Sequence, residues 1–177
     1  MGQADSCPMG GNIMMQAVIM AGGKGTRLAA LTKDEIPKPM VPVAGKPLLL
    51  WQVERLKERG FTDIIMVIGH LGDKIKEYFG DGEKFGVAIR YYEETEPLGT
   101  AGSFYYLKDM IHGERFVMMS GDLFFDIDFQ RMIRFHEEKG AVATLFVHPN
   151  GHPFDSDLLV LDKDDKITAF DSKHNVR

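Results

Sequence analysis

The chain has almost no thiol chemistry available: of its 177 residues one is cysteine, Cys7, near the N-terminus. No disulfide framework can be built from it, which fits a reducing, cytoplasmic setting. No apolar run approaches the ~18 residues that a membrane span needs. The first cation is Lys24, so the charged leading region of a signal peptide is missing as well. A basic cluster is also lacking. With 21 Lys and Arg against 26 Asp and Glu, the net charge is −5. That balance argues against nucleic acid and membrane as partners and points to small polyanions met by a few placed cations. Internal repeats, low-complexity tracts and Ser/Gly/Pro-rich linkers are absent, so one domain is expected. A chain of this length buries roughly 70% of its unfolded surface and needs no metal or disulfide staple. Residues 1–12 are polar and aperiodic and read as a disordered lead-in to a domain over 13–177.

What is present begins with a short apolar run at 17–20 that stops in the turn Ala21-Gly-Gly-Lys-Gly-Thr-Arg-Leu28. The run is too short for a helix and reads as a strand buried on both faces. Gly22, Gly23 and Gly25 lack Cβ atoms, so this backbone is free to take positive φ and to turn N–H groups toward anionic oxygens, with Lys24 and Arg27 supplying charge. A Walker A loop does not fit, because Lys24 is followed by Gly25. A dinucleotide fingerprint does not fit either, because Leu28 stands where its third glycine belongs. The plain alternative is a glycine-rich β-turn with no ligand.

Four prolines between 37 and 47 exclude a regular helix and favour a stiff extended loop around Lys38. Further on, the patterns predict a helix over 47–59 ended by Gly60, a strand over 63–69, a helix over 72–79 and a strand over 87–92. A loop at 93–102 then leads into a helix to about 111, followed by a strand over 115–120 capped by Gly121 and Asp122. Asp128 is placed to N-cap a helix closed by Gly140. A fifth strand is expected over 141–147, then two short strands over 158–161 and 167–170 joined by a turn at 162–165. Alternating strands and helices imply an α/β domain, a mostly parallel sheet with helices on both faces, whose ligand site lies beyond the strand carboxyl ends.

Four stretches taken in order resemble the signature of the sugar-1-phosphate nucleotidyltransferases: the 21–28 turn, Pro37-Lys-Pro-Met-Val-Pro42, Glu94-Thr-Glu-Pro-Leu-Gly-Thr-Ala-Gly102 and Ser120-Gly-Asp122. The resemblance implies a Rossmann-like, three-layer αβα domain of the glycosyltransferase-A kind. It implies an enzyme that joins a nucleoside triphosphate to a sugar 1-phosphate and releases pyrophosphate. The stretch His148-Pro-Asn-Gly-His-Pro-Phe-Asp-Ser-Asp157 is similar to guanylyltransferases acting on manno-configured heptose 1-phosphates, some of which carry a fused phosphatase domain. GTP with a heptose or mannose 1-phosphate, in the making of cell-surface polysaccharide, is the expectation.

By that resemblance, Arg27 holds the terminal phosphates, Lys38 meets the α-phosphate or the incoming phosphate, and Asp122 is the Mg²⁺ carboxylate. Ala21, Gly22, Gly23, Gly25 and Thr26 surround the nucleotide, Glu94 reads the base, and the turn with Gly99 and Thr100 runs close to base and sugar. Lys173 grips the sugar phosphate, although Ser172 replaces the acid usual beside it. A solvated salt bridge is the alternative for Arg27, and a solvated lysine for Lys38 and Lys173. For Asp122 it is a helix cap. Asp126 and Asp128 read as capping residues, and His148 with His152 as too irregularly placed for a metal pair. Met20, Met66, Met118 and Met119 read as core fillers, and Tyr105 and Tyr106 as core packing with the sugar pocket as alternative. A catalytically silent nucleotide-sensing domain, a cytidylyltransferase for a choline-like phosphate and a guanylyltransferase for a pterin cofactor are the competing functions, and a homo-oligomer stays open. In the family, a second metal aspartate comes from beyond the equivalent of Arg177, so the resemblance also implies a chain lacking its C-terminal part.

Overall fold

The computed structural model describes residues 15–23, 35–96, 99–149, 151, 154 and 156–172. The chain divides into two compact units, residues 1–127 and 128–177. In the first, four strands form a wholly parallel sheet: β1 (Gln16–Met20), β4 (Asp63–Ile68), β5 (Ala88–Glu93) and β6 (Phe116–Ser120). Their order is β5-β4-β1-β6. The chain builds outward on one side of β1 and then returns to its other side, so the crevice at the reversal lies between the carboxyl ends of β1 and β6. Residues of both parities in β1 and β4 are buried: Val18, Ile65 and Val67 on one face, Ala17, Ile19, Ile64, Met66 and Ile68 on the other. Side chains alternate across a strand, so both faces of the sheet are covered, which explains the unbroken apolar runs.

Helices α1 (Leu48–Glu58), α2 (Gly72–Phe79) and α3 (Gly99–Leu107) connect the strands. In α1, Leu49, Val53 and Leu56 recur at helical spacing and are fully buried. Gly60, at φ 89°, ends the helix. Leu107 of α3 packs with Val18, Ile65 and Val67, and Met20, Tyr92, Phe104, Met110 and Ile111 surround that cluster. The proline-rich segment contains a single 3₁₀ turn (Lys38–Met40) and a two-strand ribbon of β2 (Pro42–Val43) and β3 (Lys46–Pro47), turned by Ala44 and Gly45 at φ 48° and 88°. Two positive φ values in succession suit a tight hairpin.

At the amino ends of the strands a polar network ties the sheet together. Arg90 donates to both oxygens of Asp63 at 2.9 and 3.1 Å and to the Met110 carbonyl at 3.1 Å, and Gln16 donates to Asp63 at 2.9 Å.

In the second unit, α4 (Phe129–Lys139) begins where the Asp128 carboxylate accepts the Arg131 N–H at 2.9 Å and ends at Gly140, φ 57°. β7 (Leu158–Leu161) and β8 (Ile167–Asp171) form an antiparallel hairpin. Its turn is fastened by Asp162 Oδ1, which accepts N–H groups of Asp164 and Lys166 at 2.9 Å each.

The expected strand over 141–147 does not form. Val142, Leu145, Phe146 and Val147 are exposed, and no strand pairs with this segment among the described residues. An alternating apolar pattern makes a strand only where a neighbour takes up its backbone hydrogen bonds. Tyr105 and Tyr106 are exposed rather than in the core, Tyr106 stacking on Tyr92 with ring centroids 5.7 Å apart. Met118 is likewise exposed, whereas Met66 and Met119 are buried as expected. Asp126 caps no helix; it pairs with Arg59 at 3.5 Å.

Candidate functional site

The carboxyl ends of the four strands bring together residues far apart in sequence. Ala21 donates its N–H to Val67 O at 2.7 Å, Glu94 to Ile68 O at 2.8 Å and Gly121 to Met20 O at 2.8 Å. The strand ladder thus runs one residue past each strand and sets Ala21, Glu94 and Gly121 along one rim. Gly22 is needed for close approach rather than for positive φ: a Cβ there would lie 2.8 Å from Glu94 Oε2 and 3.3 Å from Gly69 N. Gly69 has the reciprocal constraint, since its Cβ would lie 2.8 Å from Gly22 O. Gly23 adjoins them in open space. Of the two freedoms that glycine offers here, Gly22 uses the close approach, and neither Gly22 nor Gly23 takes positive φ.

Glu94 is half-buried. Its Oε1 accepts the hydroxyl of the fully buried Ser103, and its Oε2 lies over Gly22. Ser103 belongs to α3, which starts at Gly99. The backbone at Gly99 and Thr100 is thus the first turn of a helix, not the free turn expected from its glycines.

On the other side of β1, the 3₁₀ turn presents Lys38, whose ammonium bonds Asp122 Oδ2, while Ser120 Oγ donates to Asp122 Oδ1 at 2.5 Å. Burial acts to push the Asp122 carboxyl up. The hydrogen bonds from Lys38 and Ser120 and the lysine charge outweigh it, and hold the carboxyl below the usual carboxylate range. Gly121 closes the gap to β1: a Cβ there would lie 3.1 Å from that of Ala21. Lys38, Asp122, Gly121, Ala21, Gly22 and Glu94 therefore follow one another along a single edge.

Gly25, Thr26, Arg27 and Lys173, with Lys24, lie outside the described residues. Among the described residues no group of three or more His, Cys, Asp or Glu could hold a metal ion, and no helix is long and apolar enough to cross a membrane. His148 Nδ1 lies 2.9 Å from the Pro149 carbonyl, and His152 lies outside the described residues.

Three residues of this edge escaped the sequence reading: Gly69, Ser103 and Gln52. The last is buried on α1 and donates to Ser120 O at 3.0 Å and Leu123 O at 2.5 Å. A polar residue amid the leucines of α1 was the available signal, and for the other two a glycine directly after a strand and a serine directly after Gly102.

Several known proteins are similar to this chain. The chain is 43% identical over 129 residues to the D-glycero-alpha-D-manno-heptose 1-phosphate guanylyltransferase of Campylobacter jejuni, covering 73% of this chain and 57% of that protein. It is 35% identical over 172 residues to the UTP–glucose-1-phosphate uridylyltransferase of Synechocystis, covering 90% and 44%. A crystal structure from Bacillus anthracis, provisionally described as a glucose-1-phosphate thymidylyltransferase in complex with a sucrose, superposes with a TM-score of 0.79 at 27% identity over 90% of this chain and 64% of that one. The chain spans about half the length of the curated relatives it matches. The nucleotidyl transferase family model matches residues 16–175, and the chain belongs to that family.

Proposed function

We propose that this chain carries the nucleotide-binding part of a sugar-1-phosphate guanylyltransferase that joins GTP to a manno-configured heptose or mannose 1-phosphate and releases pyrophosphate. In that reaction a phosphate oxygen of the sugar 1-phosphate attacks the α-phosphorus. The new P–O bond forms as the bond to the bridging oxygen breaks, and pyrophosphate departs with the electron pair. The nucleophile is already an oxyanion, so no general base is needed. The protein's task is alignment and neutralisation of charge.

The observation that carries the guanine reading is the Glu94 carboxylate held over Gly22 at the sheet's ligand-binding edge. An ionised carboxylate only accepts hydrogen bonds. The guanine N1–H and amino group are adjacent donors and complement it, whereas the N3–H of uracil or thymine is flanked by carbonyls that would oppose it. The relative from Campylobacter jejuni is named for a guanylyl transfer to a manno-heptose phosphate, which supports the same choice.

Lys38 supplies positive charge for the α-phosphate, and Arg27 and the Gly25–Thr26 backbone serve the terminal phosphates, with Lys173 at the sugar phosphate. Asp122 fits Mg²⁺ as a hard, ionised oxygen donor of the kind this cation takes in small number alongside substrate phosphates. When bound there the ion would neutralise phosphate charge. Lys38 would then exchange its bond to Asp122 for one to phosphate.

The test is a thermal-shift panel of GTP, UTP, dTTP, CTP and ATP with Mg²⁺, followed by pyrophosphate release with heptose and mannose 1-phosphates. GTP is expected to give the largest shift. A larger shift with UTP or dTTP would overturn the base assignment, and no response to any nucleotide would overturn the function.

A further inference from the structure

Gln52 is the one buried side chain among the described residues with a polar atom lacking any hydrogen-bond partner: its Oε1 is enclosed and unpaired. It stands 2% exposed on the face of α1 that also carries the fully buried Leu49, Val53 and Leu56. Its Nε2 uses both hydrogens on main-chain carbonyls, Ser120 O at 3.0 Å and Leu123 O at 2.5 Å. The opposite orientation of the amide would set an oxygen against two carbonyls, so the hydrogen-bond pattern fixes which end is which. The two carbonyls bracket Gly121 and Asp122. Ser120, held by its carbonyl, in turn donates its hydroxyl to Asp122 Oδ1.

Two hydrogen bonds gained and one buried acceptor left unpaired are of similar size and opposite sign. Removing the amide would also leave both carbonyls short of a donor, so the two bonds hold the turn itself rather than adding to the packing of α1. What the amide adds is geometry: α1 grips both ends of the short turn that carries the carboxylate.

We infer that Gln52 is a positioning residue, clamping the 120–123 turn so that the Asp122 carboxylate is held toward Lys38 and a divalent cation. The inference rests on the proposed role of Asp122. The clamp acts through backbone carbonyls alone, so it is independent of which base or sugar is bound.

The test uses the 177-residue chain with GTP and Mn²⁺, free Mn²⁺ being read by electron paramagnetic resonance. Gln52→Met keeps the length of the side chain and removes its N–H groups. It is expected to weaken Mn²⁺ about tenfold, the scale seen when a group orienting a metal ligand is lost. Metal-free GTP affinity should stay close to wild type, the melting temperature should fall by a few degrees as two carbonyls lose their donor, and amide exchange should quicken at 121–123 and not in β4. Mn²⁺ affinity unchanged in Gln52→Met, while Asp122→Asn weakens it, overturns the clamp and leaves the function standing. Mn²⁺ affinity unchanged in Asp122→Asn overturns the metal role of Asp122, and the clamp's purpose with it. Should Gln52→Met not fold, Gln52→Asn, one methylene too short to reach both carbonyls, is judged by the same readings.

Discussion

Lys38 and Asp122, 84 positions apart in the chain, meet as an ion pair on the far side of β1 from Glu94. The lysine comes from the 3₁₀ turn of the proline-rich segment and the aspartate from the end of β6. Because the folded carboxyl lies below its unfolded value, its stabilising contribution is complete above about pH 4 and is lost as pH falls through the folded value. Lys38→Met should therefore move the acid unfolding midpoint upward, followed by circular dichroism. Superimposable acid curves for the two proteins would contradict this account of the pair.

Gly22 and Gly69 should respond differently to the same added methyl group. In Gly22→Ala the nearest atom is the movable end of Glu94, so the fold should survive with a displaced carboxylate and weaker GTP binding. In Gly69→Ala the nearest atom is the Gly22 carbonyl oxygen, part of a rim fixed by the strand ladder. Overpacking of that kind costs about 1–3 kcal/mol. Chemical denaturation of both variants checks the contrast, and equal losses of stability would refute it.

Glu94→Gln tests the base assignment directly. The Ser103 hydroxyl would keep the amide oxygen where Oε1 now sits and leave the NH₂ over Gly22. A donor beside an acceptor suits uracil or thymine better than guanine. The ratio of GTP to UTP affinity should fall by about tenfold, roughly 1.4 kcal/mol, measured by calorimetry. An unchanged ratio would remove Glu94 from base recognition.

Tyr91 provides an alkaline counterpart. Its hydroxyl donates to the Gly80 carbonyl at 2.6 Å, and burial, with the nearby Asp81 charge, pushes it up to about 12. A raised folded value means the contribution is whole below about pH 10 and is lost as pH climbs toward 12. Tyr91→Phe should cost about 1 kcal/mol at neutral pH, the size of one hydrogen bond. It should also flatten the decline of stability between pH 10 and 12, as seen in melting temperatures across that range.

Much of the architecture is legible in the local sequence. The run before Gly22 is a strand buried on both faces, Gly60 and Gly140 end helices, Asp128 caps one, and the 158–171 hairpin turns where its aspartates cluster. These features depend on residues within a turn or two of one another. The segment at 141–147 shows the limit: its alternation is the same as that of a real strand, and what it lacks is a partner, which no local pattern records. Gly99 shows a related limit, since glycines that suggest a turn can also open a helix when the next residues pack, as Ser103 and Leu107 do here.

The sequence by itself determined the alternation of strands and helices, the exclusion of a regular helix around Lys38, the glycine opening after β1 and a carboxylate at the end of β6, because each follows from the stereochemistry of neighbouring residues. Only the tertiary structure decided that Lys38 reaches Asp122, that Glu94 lies over Gly22 with Ser103 behind it, and that Gln52 grips the turn between β6 and Leu123. Those contacts depend on strand order and register. These are set by burying both faces of one sheet at once, a condition on the whole unit that no stretch of chain carries alone.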